Sequence, residues 1–130
     1  MGAPRMALSG VVFESTDANA LAAFYRTLLG WDVGVDKPGW STLREPGGSG
    51  KLSFSGDPAY VPPVWPAQPG QPQMQVHLDI QVEDLDEAGK YVIELGARLA
   101  DFQPQEYVRV YFDPAGHPFC LWVMPPDISA

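Results

Sequence analysis

The sequence is poor in positive charge, in cysteine and in long apolar runs. Eight Lys and Arg stand against sixteen Asp and Glu, giving a formal net charge of -8 and an isoelectric point near 4.4. A surface with that balance repels phosphate, so nucleic acid is not an expected partner. The single Cys120 excludes an intramolecular disulfide. No apolar stretch approaches membrane-spanning length, and MGAPRMALSG lacks the apolar core of a secretory leader. No membrane partner is therefore expected, and a cytoplasmic location is the default. Met1-Gly2 begins like an acylation signal, but Met6 stands where that pattern needs Ser or Thr. What is present suffices for a core: 130 residues, 45% hydrophobic and 12% aromatic, are expected to form one domain over 1–130.

The most informative stretch is MQVHLDIQVEDLDEAGKYVIELG, from Met74 to Gly96. From Val76 to Val82, Val76, Leu78, Ile80 and Val82 alternate with His77, Asp79 and Gln81. This period of two predicts a strand that packs one face and lifts a histidine and an aspartate onto the other. Asp84 stands as an N-cap with Glu87 three residues on, then Leu85, Ala88, Val92 and Leu95 recur at helical spacing until Gly96. The result is a β-α unit.

The chain before it reads similarly. A β-prone run from Leu8 to Thr16 precedes a helix capped by Asp17, striped by Leu21, Phe24, Tyr25, Leu28 and Leu29, and ended by Gly30. Strands are then expected over Trp31–Val35, Gly39–Arg44 and Lys51–Ser55. A proline-rich connector, GDPAYVPPVWPAQPGQPQ, follows, and is expected to be extended. After the central β-α unit, strands are expected over Arg98–Phe102, Tyr107–Phe112 and Pro118–Met124, with a turn at Asp113-Pro114-Ala115-Gly116. The order β-α-β-β-β thus occurs twice. The interval from Asp17 to Asp84 exceeds that from Gly30 to Gly96 by a single residue, so the halves superpose almost in register. In that alignment Gly10 is the counterpart of His77, and Ser53 that of Cys120.

A doubled β-α-β-β-β chain with FYRTLLGW closing the first helix, HLDIQVEDLDEA opening the second half and FDPAGHPFCLWV ending it resembles the glyoxalase/bleomycin-resistance group of the vicinal oxygen chelate superfamily. The resemblance covers nearly the whole chain. It implies an α+β fold in which two paired modules, about 7–56 and 74–125 with the connector 57–73 between them, form a curved mixed-sheet cup with helices outside. Metal-dependent members carry one ligand on the first and one on the last strand of each module, which here means Gly10, Ser53, His77 and Cys120. Only His77 is a usual ligand, so neither metal nor cofactor is expected.

By alternation, Glu14 shares the cup face of His77 and Asp79, Ser53 that of Cys120 and Trp122, and Tyr107, Arg109 and Tyr111 complete it. Val108, Val110 and Phe112 are assigned to the helix side. Trp40 is a further candidate, and Tyr60 and Trp65 in the connector could form a lid. Such a lining suits a planar or polycyclic ligand stacked on rings and oriented by few hydrogen bonds. Each feature also has a structural reading. His77 can simply bond Asp79, Cys120 can be a small buried residue with no base beside it, Arg109 can pair with Glu14 or Asp79, and Tyr60 and Trp65 can pack a plain linker. Two functions follow. One is metal-free sequestration of a hydrophobic aromatic molecule such as an antibiotic, as drug-binding members of the group perform. The other is a glyoxalase-like lyase or isomerase, or a dioxygenase-type enzyme, using a metal or His77 with a carboxylate. A homodimer is expected by resemblance.

Overall fold

A computed structural model describes residues 2–126. The chain divides into two compact units, Met1–Pro58 and Ala59–Ala130, and the proline-rich connector belongs almost wholly to the second. Unit one holds β1 (Val11–Ser15), α1 (Ala18–Leu29), β2 (Asp32–Lys37), β3 (Trp40–Arg44) and β4 (Lys51–Gly56). Unit two holds β5 (Leu78–Gln81), α2 (Leu85–Leu95), β6 (Arg98–Leu99), β7 (Val108–Phe112) and β8 (Pro118–Trp122). The sheet orders β1-β4-β3-β2 and β5-β8-β7-β6 are the same, each with a parallel first-to-last pair and antiparallel remainder. The repeat seen in the sequence is therefore a repeat of topology, and the fold is α+β with two β-α-β-β-β modules. No helix of the described residues is long and apolar enough to cross a membrane.

Both helices start and stop where their sequences signal. The Asp17 carboxylate accepts from the Ala20 amide at 3.0 Å, and that of Asp84 from the Glu87 amide at 2.9 Å. Gly30 (φ 69°) and Gly96 (φ 119°) close them in the left-handed region, where a Cβ would be strained. In module one α1 lays Leu21, Phe24 and Tyr25 on the sheet. Tyr25 stacks on Phe13 and Phe54 with centroids 6.3 and 5.8 Å away, and all three are nearly inaccessible. Burying each such ring contributes about 1.5–3 kcal/mol. Val12, Glu14, Ser53 and Ser55 consequently project from the opposite face, as alternation requires. A bulge between Val33 and Asp36 brings the Val35 amide onto the Thr42 hydroxyl at 2.8 Å.

In module two α2 covers Tyr111, whose ring stacks on Phe119 at 5.9 Å and whose hydroxyl lies against the Cα of Gly89. The other face is not left bare. Trp65 of the connector packs there on Ala100, Val110 and Phe112, with Cys120 beside them. This corrects the expected facing of β7. The turn at Asp113–Gly116 sets the register Tyr111↔Phe119 and Val110↔Cys120, which puts Arg109 and Tyr111 on the helix side and Val108, Val110 and Phe112 on the open side. Alternation gives the period of a strand but not its phase. The more apolar set is expected under the helix, whereas here a second apolar cover exists. Some strands are also shorter than expected: β5 begins at Leu78, after His77, and β6 is two residues long.

Candidate functional site

The open face of module two carries a cleft of about 510 Å³ whose wall includes His77, Asp79, Tyr107, Val108, Cys120 and Trp122. Parallel pairing of β5 with β8 places Asp79 opposite Cys120 and Gln81 opposite Trp122, so the ladder itself sets these side chains on one surface. His77 lies two residues before Asp79, and its Nε2 is 3.2 Å from Asp79 Oδ1. The Cys120 thiol donates to the same carboxylate. Its pKa is pushed up to about 11, mainly by burial, then by the negative charge of Asp79 and by the hydrogen bond to it. At neutral pH the sulfur is therefore a protonated thiol and a poor nucleophile. A carboxylate thus neighbours Cys120, for which the sequence alone shows no base.

One donor atom from each of His77, Asp79 and Cys120 lies within 4.8 Å of the others. The ligand positions of the metal-dependent relatives are otherwise not reproduced. A Cβ at Gly10 would come within 2.9 Å of the Lys51 carbonyl oxygen, so this backbone approach resists a ligating side chain. Ser53 is buried between Val12 and Thr42 in the ladder, and a neutral hydroxyl is not among the usual ligands. The four-position set of the family does not fit this chain.

The remaining candidates scatter. Glu14, Ser53 and Trp40 belong to the first module, where Glu14 is exposed and Trp40 pairs with Ser55. Arg109 spends its guanidinium on the carbonyls of Gln105, Glu106 and Val108, at 3.3, 2.9 and 2.8 Å, and braces the loop before β7. Within its own module, these carbonyl bonds replace the expected pairing with Asp79. Tyr111 lies under α2, away from the cleft face. Trp65 borders a different hollow, of about 410 Å³, with Phe102 at 5.6 Å between centroids and Arg98, whose guanidinium sits 4.5 Å above Phe112. Tyr60 donates to the Ala115 carbonyl at 3.0 Å and lies 3.3 Å from His117 Nε2.

His117 is the residue that sequence reasoning missed. Its Nδ1 meets Asp113 Oδ2 at 2.9 Å, while Asp113 Oδ1 accepts from the amides of Ala115 and His117. Burial and the charge of Asp113 together push the Tyr60 pKa up to about 12. The signal was an aspartate and a histidine four residues apart across a proline turn.

The sequence model of the glyoxalase-like domain matches residues 10–122, and the chain belongs to that family, within the vicinal oxygen chelate superfamily. Solved structures agree on the fold. A glyoxalase/bleomycin resistance protein/dioxygenase family enzyme from Burkholderia phytofirmans PsJN is 19% identical, with 90% of this chain and 98% of that one covered and a TM-score of 0.66. The fosfomycin resistance protein FosX from Listeria monocytogenes is 13% identical, with 95% of each chain covered and a TM-score of 0.66. A glyoxalase/bleomycin resistance protein from Albidiferax ferrireducens T118 is 21% identical, with 91% and 98% covered and a TM-score of 0.58. At such identities the likeness speaks for the fold alone. No curated protein sequence matches the chain significantly.

Proposed function

We propose that this protein binds and sequesters a hydrophobic, aromatic small molecule in the second module's cleft, without needing a metal. An antibiotic is one such molecule, and structural neighbours include proteins of bleomycin and fosfomycin resistance. The observation that carries the reading is the cleft wall itself: the rings of Trp122 and Tyr107 stand beside a polar floor of His77 and Asp79. Rings supply stacking area at low entropy cost, and the imidazole-carboxylate pair orients one polar group of the ligand. Its volume of about 510 Å³ suits a drug-sized compound. A fluorescence-quenching and thermal-shift screen of natural products tests it. Hits that raise the melting temperature by mass action, with quenching lost in Trp122→Phe, support the reading. Hits indifferent to Trp122 overturn this location.

The second reading is a glyoxalase-like lyase or isomerase, or a dioxygenase-type enzyme. It is favoured by one observation, the carboxylate of Asp79 in contact with both His77 and Cys120. A bound compound recovered chemically changed, and unchanged from His77→Ala, would select it. Homodimer formation and a cytoplasmic location belong to the same proposal. Exposed Val12, Val33 and Val35 in the first module offer apolar surface for a second copy. Light scattering that shows only monomer at micromolar concentration would count against the dimer.

A further inference from the structure

The cleft of His77 and Trp122 lies toward the β5–β8 side of the second sheet, and the hollow beside Trp65 lies at the opposite edge, where β6 ends the strand order. Among the described residues the two have no wall residue in common. We propose that this hollow is a separate binding site for a small aromatic zwitterion of the amino-acid class. Arg98 takes its carboxylate, Asp101 its ammonium group, and Trp65 and Phe102 its ring.

The walls are built before any ligand arrives. On one side the connector is tied to its surroundings. The Tyr60 hydroxyl donates to the Ala115 carbonyl at 3.0 Å, and the Val64 amide donates to the Pro72 carbonyl at 2.8 Å. Pro62 lies so close to Gly116 that a Cβ there would come within 2.8 Å of the proline's own. Pro62, Pro63 and Pro66 further restrict this backbone, so little chain entropy remains to be lost on binding. On the other side Gln103 clamps the turn after β6 to β7. Its amide nitrogen donates to the carbonyls of Ala100 and Val110 at 2.8 and 2.9 Å, and its oxygen accepts from the Val110 amide at 2.9 Å. Phe102 is thereby held beside Trp65, 5.6 Å away between centroids, although it is 51% exposed. An aromatic ring fixed half in solvent on a concave wall is stacking surface for a second ring. The void of about 410 Å³ is within the range of small-molecule sites.

The charged groups select the ligand. Arg98 and Phe112 are direct partners in the β6–β7 ladder, and the guanidinium lies 4.5 Å from the ring centroid. Stacking occupies the face of the guanidinium and leaves its in-plane N–H donors able to grip a carboxylate bidentately. Asp101 lines the same hollow, and among the described residues neither it nor Arg98 forms an ion pair. A ligand that is only an anion would meet Asp101 and a chain of net charge -8, and one that is only a cation would meet Arg98. A zwitterion answers both charges and adds none.

Calorimetric titration of the full chain with L-phenylalanine tests the site and needs no knowledge of the cleft's own ligand. Saturable one-to-one binding is expected, at least about tenfold tighter than for 3-phenylpropionate, which lacks the ammonium group, or phenethylamine, which lacks the carboxylate. Arg98→Gln should weaken phenylalanine binding at least about tenfold while sparing phenethylamine, and Asp101→Asn should do so while sparing 3-phenylpropionate. Trp122→Phe should leave phenylalanine binding as it was. Arg98 and Asp101 are both exposed, and circular dichroism melts confirm that the variants fold. No saturable heat up to millimolar phenylalanine, equal binding of the three compounds, or full affinity in both Arg98→Gln and Asp101→Asn would overturn the site. Affinity lost in Trp122→Phe would move phenylalanine to the cleft and equally overturn it. Because the two walls are separate, failure here leaves the proposed function standing, and failure of the natural-product screen leaves this site standing.

Discussion

Asp79 and Cys120 are direct partners in the parallel β5–β8 ladder, and the carboxylate of one accepts the thiol proton of the other. That single register brings the acid of the central HLD motif to the final FCLW strand. Because Asp79 also meets His77, the cleft has a polar corner, and Trp122, one step along the same strand face, gives it a ring wall.

Two tryptophans should then behave differently. Trp122→Ala is expected to weaken ligand binding by about 1–3 kcal/mol, a loss of roughly tenfold to a hundredfold. Trp65→Ala should leave that affinity unchanged, because Trp65 packs on Ala100, Val110 and Phe112 rather than on the cleft wall. Its cost appears in stability instead, about 1–3 kcal/mol for losing a half-buried indole from an apolar cluster. Paired ligand titrations and denaturant melts separate the two. Lost affinity in Trp65→Ala with normal stability would restore the lid.

Gly89→Ala tests how closely α2 sits on the sheet. An alanine in a helix interior should stabilise by about 1 kcal/mol over glycine. Here its methyl would collide with the Tyr111 hydroxyl, and overpacking costs about 1–3 kcal/mol. Net destabilisation is expected, and it should shrink in a Tyr111→Phe background, where the colliding oxygen is gone. Urea midpoints of the four proteins in this cycle give the coupling.

Alkaline pH should loosen the connector. Tyr60 titrates near 12 in the folded chain because of burial and the charge of Asp113, against 10.0 when unperturbed. Between those values the unfolded chain has released the phenolic proton and the folded chain has not, so unfolding gains as pH rises. The stabilisation from Tyr60 is complete below pH 10 and fades toward pH 12. In Tyr60→Phe the melting temperature should fall less steeply over that window; an identical slope would show that Tyr60 contributes nothing to it.

Gly10→His asks whether a ligand position of the metal-dependent relatives can be refilled. The Lys51 carbonyl oxygen stands 2.9 Å from where the Cβ would be, and backbone cannot rotate aside. Destabilisation by about 1–3 kcal/mol is expected. An unchanged melting temperature would mean that the chain before β1 gives way freely.

Local chemistry made much of this protein legible. The caps at Asp17 and Asp84, the stops at Gly30 and Gly96 and the turn at Asp113 each depend on residues within a few positions, so sequence determined both helices and the doubled β-α-β-β-β order. Alternation likewise put His77 with Asp79 and Cys120 with Trp122, because a strand face repeats every second residue. Only the tertiary structure decided the rest. The hairpin register sent Tyr111 and Arg109 to the helix side, since alternation carries no phase. Asp113 and His117 drew Tyr60 to the turn, and Trp65 found its partners in the second sheet rather than on the cleft wall. The parallel partner of β5 lies at the far end of its module, so contact between Asp79 and Cys120 depends on a ladder closed across some forty residues. No local pattern contains that pairing, because its stabilisation appears only once the whole module has packed.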